Sequence, residues 1–238
     1  MTPAEVIELF DDPPTLLRRC YLHIAGGATR TPKQLDAPLP PVNGQAAVQT
    51  FKVAITHSVV RGFTTGTGGV FGKQKTRAYV RIYKLGGQAK QKAELGADEF
   101  NAYYVPMVQT SDVTAGTSHY SLPTGLDALE LMVTSKLSGC TFGVGSDGMG
   151  TVLVSHVQPD MTIDDPGDRA HSLDVAVTSG FHTTTGEFRK GGRYKEYAAV
   201  IGRRSGPNWK FYLQAVGLGA SSGWKKSDYV ISKVEVID

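Results

Sequence analysis

From residue 51 onward the chain is a succession of nine short runs rich in Val, Ile, Tyr, Phe and Thr, at 51–60, 77–85, 103–108, 129–135, 139–144, 150–157, 197–201, 209–216 and 229–237, separated by Gly, Asp and Asn. β-Branched and aromatic residues in runs of this length favour extended chain over helix. Phe51, Val53 and Ile55 alternate with Lys52, Ala54 and Thr56, and residues 79–85 alternate likewise, so one face of each strand is buried and the other is wetter. Strands patterned in this way need a second layer to bury that face. A chain of 238 residues is long enough to bury roughly 70–75% of its unfolded surface without a metal or disulfide staple. The expected fold class is α+β: a sandwich of two mostly antiparallel, mixed β-sheets with a few peripheral helices.

Helical pattern is confined to a few places. Thr2-Pro3-Ala4-Glu5 is a capping box with proline at the first helical position, followed by Val6, Leu9 and Phe10 at helical spacing, and Asp12-Pro13-Pro14 ends that helix. Weaker helical pattern covers 88–100 and 187–190. Gly26-Gly27 and Pro32, Pro38, Pro40 and Pro41 make the following stretch turn-rich. Residues 1–45 therefore read as an N-terminal helix and a Pro/Gly-rich arm, and residues 46–238 as a single α+β domain. No repeat period marks a solenoid or propeller.

Charge excludes little. The net charge is +3, too mild to favour a nucleic-acid partner, although its distribution is uneven. Residues 147–174 hold six aspartates against Arg169, whereas residues 187–233 hold ten Lys/Arg against three acids. No run approaches the ~18 apolar residues of a membrane span. Glu5, Glu8, Asp11 and Asp12 occupy the place of a signal peptide's basic and apolar segments. The two cysteines, Cys20 and Cys140, are too few for a disulfide framework or an all-cysteine zinc site, and fit a reduced compartment.

Several apparent motifs fail on spacing. The glycine-dense stretch 62–72 matches neither GxGxxG nor a P-loop, and reads as a loop. Asp164-Asp165-Pro166-Gly167-Asp168 lacks the alternate ligands of a calcium loop and reads as a turn. No two histidines stand at a helical metal spacing, and His57 falls inside a strand pattern as a core or edge residue.

The stretch that carries chemistry is a strand, turn and strand over residues 134–156. With a three-residue loop Asp147-Gly148-Met149, Ser146 opposes Gly150 and opposed positions sum to 296, which sets Cys140 opposite His156 on one face. A two-residue Asp-Gly loop would turn the histidine to the other face. In the first register Phe142, Val144, Val152 and Val154 form an apolar wall beside the pair. A neighbouring imidazolium lowers a thiol's pKa toward that of a nucleophile. Gly139 leaves the backbone beside the sulfur open, and N–H groups from Ser138 to Cys140 suit an oxyanion. The competing reading makes Cys140 a small buried hydrophobe in a noncatalytic β-sandwich binding module. Its contact surface would be the basic C-terminal third, with Trp209, Phe211 and Tyr212 beside Arg203, Arg204 and Lys210.

Leu137-Ser138-Gly139-Cys140 followed by His156 resembles the LSGC-and-histidine signature of the bacterial glutamine deamidase toxins, the family of cytotoxic necrotizing factor and Burkholderia lethal factor. Chemotaxis deamidases share a related Cys–His arrangement. The resemblance covers residues 134–156 and implies a deamidase-toxin-like form of the sandwich. It also implies Cys140 as nucleophile, His156 as general acid/base, and Thr134 in the position of a threonine that orients the histidine in the lethal factor. In the necrotizing factor a backbone carbonyl does this, so both orienting groups stay open. The implied activity is cofactor-independent conversion of a specific glutamine of a host protein to glutamate through a thioester. The implied protein is a monomeric toxin or effector made in a bacterial cytoplasm and acting in a host cytosol. Transglutaminase or another cysteine amidohydrolase is the sister chemistry. Cys20 is a bystander in every reading.

Overall fold

Thirteen strands and three α-helices make up the computed structural model, which describes residues 3–25, 44–61, 77–88, 91–97, 99–110, 113, 118–218 and 229–237. Helices α1 (Pro3–Asp11) and α2 (Pro13–Arg19) precede strands β1 (Cys20–Ala25), β2 (Ala47–Arg61), β3 (Arg77–Gln88) and β4 (Glu99–Val105). Next come β5 (Val108–Gln109), β6 (His119–Leu122), β7 (Leu131–Thr134), β8 (Thr141–Ser146) and β9 (Val152–Gln158). Helix α3 (Pro166–Thr178) and strands β10 (Thr183–Phe188), β11 (Tyr197–Ser205), β12 (Asn208–Leu218) and β13 (Tyr229–Ile237) complete the chain. The glycine-dense stretch 62–72, residues 26–43 of the arm, and the side chain of His57 lie outside what is described.

The first sheet runs β1-β3-β2-β4-β7-β11-β12-β13 and the second β10-β8-β9-β5, with β6 also pairing β9. Three pairs, β1 with β3, β4 with β7 and β5 with β9, are parallel, and the remaining strand pairs are antiparallel. The fold is thus an α+β sandwich of two mixed sheets. Its central core lies between them, with Tyr103, Met132, Val200, Phe211 and Leu213 from the first sheet against Cys140, Phe142, Val144 and Val154 from the second. Leu9, Leu16 and Leu17 of the N-terminal helices cover the other face of the first sheet, over Phe51, Phe100, Tyr104 and Val133. Leu173, Ala176 and Val177 of α3 cover the second sheet at Val157. Glycine at 143 permits this approach, because a Cβ there would stand 2.6 Å from Val177 Cγ1.

The sequence reading set residues 1–45 apart as an N-terminal helix and arm, with the domain starting at residue 46; in the structure residues 3–25 pack with the first sheet. β1 is an integral strand of the first sheet, and Gln214 of β12 ties it down although five strands separate the two in the sheet order. The buried Gln214 amide accepts from the Leu22 N–H at 3.0 Å and donates to the Cys20 carbonyl at 2.6 Å and to the Leu17 carbonyl. The sheet therefore curls toward itself around α1 and α2. Asp12-Pro13-Pro14 ends α1 and also starts α2, whose N-cap is Asp12, with Oδ2 accepting from the Thr15 hydroxyl at 2.6 Å.

Three further local readings change. The acidic stretch 164–168 is the start of α3: Asp165 caps it, accepting from the Asp168 N–H at 2.8 Å, and Pro166 occupies the first turn. Among the described residues of 88–100 the expected helix reduces to a single 3-10 turn, Lys92–Glu94, before β4 begins. Helix at 187–190 gives way to β10.

The chain crosses from the first sheet to the second twice at one end of the sandwich. β4 and β7 are parallel, with Val105 opposite Thr134. β4 continues through Pro106 and Met107 into β5, and β7 continues through residues 135–140 into β8. These adjacent crossovers bring Met107 and Cys140 together.

Candidate active site

Thr134 is the last residue of β7 and projects from the first sheet toward His156 of β9 in the second. The Thr134 hydroxyl stands 2.6 Å from the Val105 carbonyl and 2.7 Å from His156 Nδ1. Its single proton goes to the carbonyl, which only accepts, so toward the ring the hydroxyl oxygen is the acceptor and Nδ1 carries hydrogen. Ser135 Oγ lies 3.3 Å from the same nitrogen. Nε2 is then a bare lone pair, and it is buried with no hydrogen-bond partner among the described residues. In this tautomer Nε2 has the lone pair needed to accept a proton. Of the two orienting groups left open by the sequence reading, Thr134 contacts the ring, while the Val105 backbone carbonyl contacts Thr134 and not the histidine.

Cys140 sits at the end of the 137–140 turn, which is pinned at several points. Leu137 exchanges both backbone hydrogen bonds with Ala198 of β11, at 2.8 and 2.9 Å. The Ser138 carbonyl accepts from Lys190 Nζ at 3.1 Å, and the Cys140 carbonyl accepts from the Tyr194 hydroxyl at 2.5 Å. With the carbonyls drawn toward Lys190 and Tyr194, the N–H groups of Ser138, Gly139 and Cys140 act on the sulfur and favour the thiolate, as does the charge of Lys190. Burial outweighs them and pushes the thiol up to about 11. Burial likewise raises the Tyr194 hydroxyl well above its ordinary value. The Cys140 thiol also donates to Met107 Sδ, 3.4 Å away.

The hairpin register differs from the expected one. Phe142, rather than Cys140, opposes His156, and Ser146 opposes Val152, so opposed positions sum to 298. The loop is five residues long because Asp147 Oδ1 gathers the N–H groups of Met149 and Thr151, at 2.8 and 3.0 Å, with Gly148 and Gly150 both at positive φ. A slip of two residues preserves the faces. Cys140 packs in the core that holds Phe142, Val144 and Val154, and His156 opposite Phe142 shares that face by register, with no thiol–imidazole hydrogen bond among the described residues.

The thiolate–imidazolium pair expected from sequence is also revised. Burial holds the His156 ring down to about 3 and the Cys140 thiol up to about 11, so at rest both groups are neutral between those values. Alkylation of native Cys140 by iodoacetamide should accelerate about tenfold per pH unit from pH 6 to pH 9, because only thiolate reacts. A rate already level below pH 7 would show a resting ion pair instead.

Of the residues of the competing binding surface, Lys210 is exposed, and the others are largely taken up by the fold. Trp209 and Phe211 are in the central core. Arg204 is buried, donating to the carbonyls of Leu129, Gly206 and Ala128, and Arg203 donates to Phe10 and pairs with Glu130 at 3.0 Å. Among the described residues no group of three His, Cys, Asp or Glu side chains could hold a metal, and no helix is long and apolar enough to cross a membrane. A cleft of about 560 Å³ beside Val144, Val152, Trp209 and Phe211 lies toward the far end of β8 from Cys140. Cys20 is buried beside Glu5, 3.8 Å from its Oε1. Sequence reasoning missed Ser135, Met107, Lys190 and Tyr194, none of which has a local signal linking it to Cys140. No family model matches the chain, and no curated protein matches its sequence.

Proposed function

We propose that the chain is a protein glutamine deamidase, a bacterial effector that converts a specific glutamine of a host-cell protein to glutamate. The observation that carries this reading is the bare Nε2 of His156, fixed through Thr134, on the face that holds Cys140 within a turn whose N–H groups favour negative charge. Because both groups rest neutral, proton transfer accompanies attack. The Cys140 sulfur bonds to the side-chain amide carbon as its proton passes to Nε2, and the carbonyl oxygen gains the negative charge. Donors from the 137–140 turn stabilise that oxyanion, an effect worth about 3–4 kcal/mol per well-placed donor. The C–N bond breaks as the imidazolium returns the proton, and ammonia leaves. Water then adds to the thioester, giving up a proton to Nε2; the C–S bond breaks, the proton returns to sulfur, and glutamate is released. Met107, a flexible side chain, must leave the sulfur for substrate to enter.

Incubating the protein with host-cell lysate and mapping Gln-to-Glu conversion by mass spectrometry tests the reading. Cys140→Ser should reduce conversion by about 10³-fold or more. Equal conversion by both proteins overturns the proposal.

Gly139 offers a second test. A Cβ built there meets nothing within 4 Å, so Gly139→Ala should leave thermal unfolding unchanged to within about 0.5 kcal/mol. On the deamidase reading the added methyl would crowd the substrate beside Cys140, and kcat/KM should fall about tenfold or more. Unchanged kcat/KM would place substrate entry elsewhere.

A further inference from the structure

Two arginines near the site have carboxylate partners: Arg189 pairs with Glu187 and Asp174, and Arg193 with Glu235. Two lysines flanking the 137–140 turn do not. Lys136 immediately precedes the turn and lies over the Tyr197 ring, 4.4 Å from its centroid. It is half-buried, and burial lowers its pKa. Lys190 is exposed, rests on the Ser138 carbonyl at 3.1 Å, and acts electrostatically on Cys140. Neither has an ion-pair partner among the described residues. An unpaired half-buried ammonium is costly to keep, and a polypeptide substrate bearing carboxylates would neutralise both charges as it binds.

We propose that the segment presenting the target glutamine is acidic on both sides of it, its carboxylates received by Lys136 and Lys190. This rests on the deamidase reading and specifies its substrate class. The lysines raise the local concentration of an acidic segment and disfavour a basic one at the same position.

Two measurements separate this inference from the reading beneath it. The first compares alkylation of Cys140 by iodoacetate and by iodoacetamide at low salt. The anionic reagent should be favoured several-fold over its ratio on a free thiol. That preference should fall toward the free-thiol ratio in Lys136→Met/Lys190→Met and in the wild type at 0.5 M salt. The second measures ammonia release from synthetic glutamine peptides flanked by Asp or Glu, by Ser, or by Lys, with an expected order acidic, neutral, basic spanning about tenfold or more. If no peptide or lysate protein is deamidated while the iodoacetate preference holds, the deamidase reading fails and the cationic rim stands. Deamidation with no flank preference, or with one the double variant keeps, overturns the inference and leaves the deamidase reading intact. Inhibition by nucleic acid without discrimination among peptides assigns the lysines to that polyanion and overturns it also.

Discussion

Acidification from pH 7 to pH 4 is expected to weaken the fold by about 3 kcal/mol through His156 alone. The ring is fully buried, and that burial lowers its pKa from an ordinary 6.5 to about 3. In the unfolded chain the ring takes up a proton as pH falls through 6.5, while in the folded chain it stays neutral until about 3. The unfolded state therefore binds more protons in that window. The contribution is fully present above pH 6.5 and is lost as pH falls toward 3, with a slope approaching about 1.4 kcal/mol per pH unit. Asp147 and Asp160, whose carboxyls are held below the usual range by hydrogen bonds with Thr151, Met149 and Thr162, lose stability only below about pH 4. Urea midpoints measured between pH 4 and pH 7 check this. His156→Gln should be less stable at pH 7 but flatter across the window. Parallel curves for the two proteins would mean that the native ring titrates normally and is not enclosed by the two sheets.

The parts of this fold that were legible in the sequence depend on local pattern. β13 spans the run read from sequence, and the two-sheet architecture follows from strands whose apolar residues alternate. The shared face of Cys140 and His156 was legible because parity survives a two-residue change of loop length. The loop length itself was not, since the Asp147 side chain decides it by reaching Thr151. α3 was missed because only Leu173, Ala176 and Val177 of it are buried and its acidic cap imitates a turn. β10 was missed because Thr183, Thr184 and Thr185 are exposed and leave no alternation to read. At the site, the Thr134–His156 contact joins two sheets. No spacing rule contains it, and only the family resemblance pointed to Thr134. Met107 and Tyr194 reach Cys140 from 33 and 54 residues away. Such contacts come from the crossovers and from the turn after β10, which become visible only in the assembled fold.

Replacing Thr134 by valine should have the largest effect of any change that leaves both reacting groups in place. Valine keeps the shape but removes an acceptor from Nδ1–H at 2.7 Å and a donor from the Val105 carbonyl at 2.6 Å. Each buried group left unsatisfied costs about 1–3 kcal/mol, so stability should fall by about 2–4 kcal/mol. The catalytic loss has a separate cause. Without an acceptor at Nδ1, the ring gains by placing its hydrogen on Nε2, which removes the lone pair that takes the thiol proton in the proposed mechanism. Misassigning a catalytic tautomer elsewhere costs up to about 10⁴-fold; here about 10²–10³-fold in kcat with little change in KM is expected. Ser135 Oγ, 3.3 Å from Nδ1, is a second acceptor placed to limit the damage, so Thr134→Val/Ser135→Ala should be worse than either single change. Thr134→Ser restores the hydroxyl and should recover most of the rate. Nitrogen chemical shifts of the His156 ring read the tautomer directly, with or without a substrate in hand. If Nε2 stays unprotonated in the valine variant, Thr134 supports the fold and something else fixes the base.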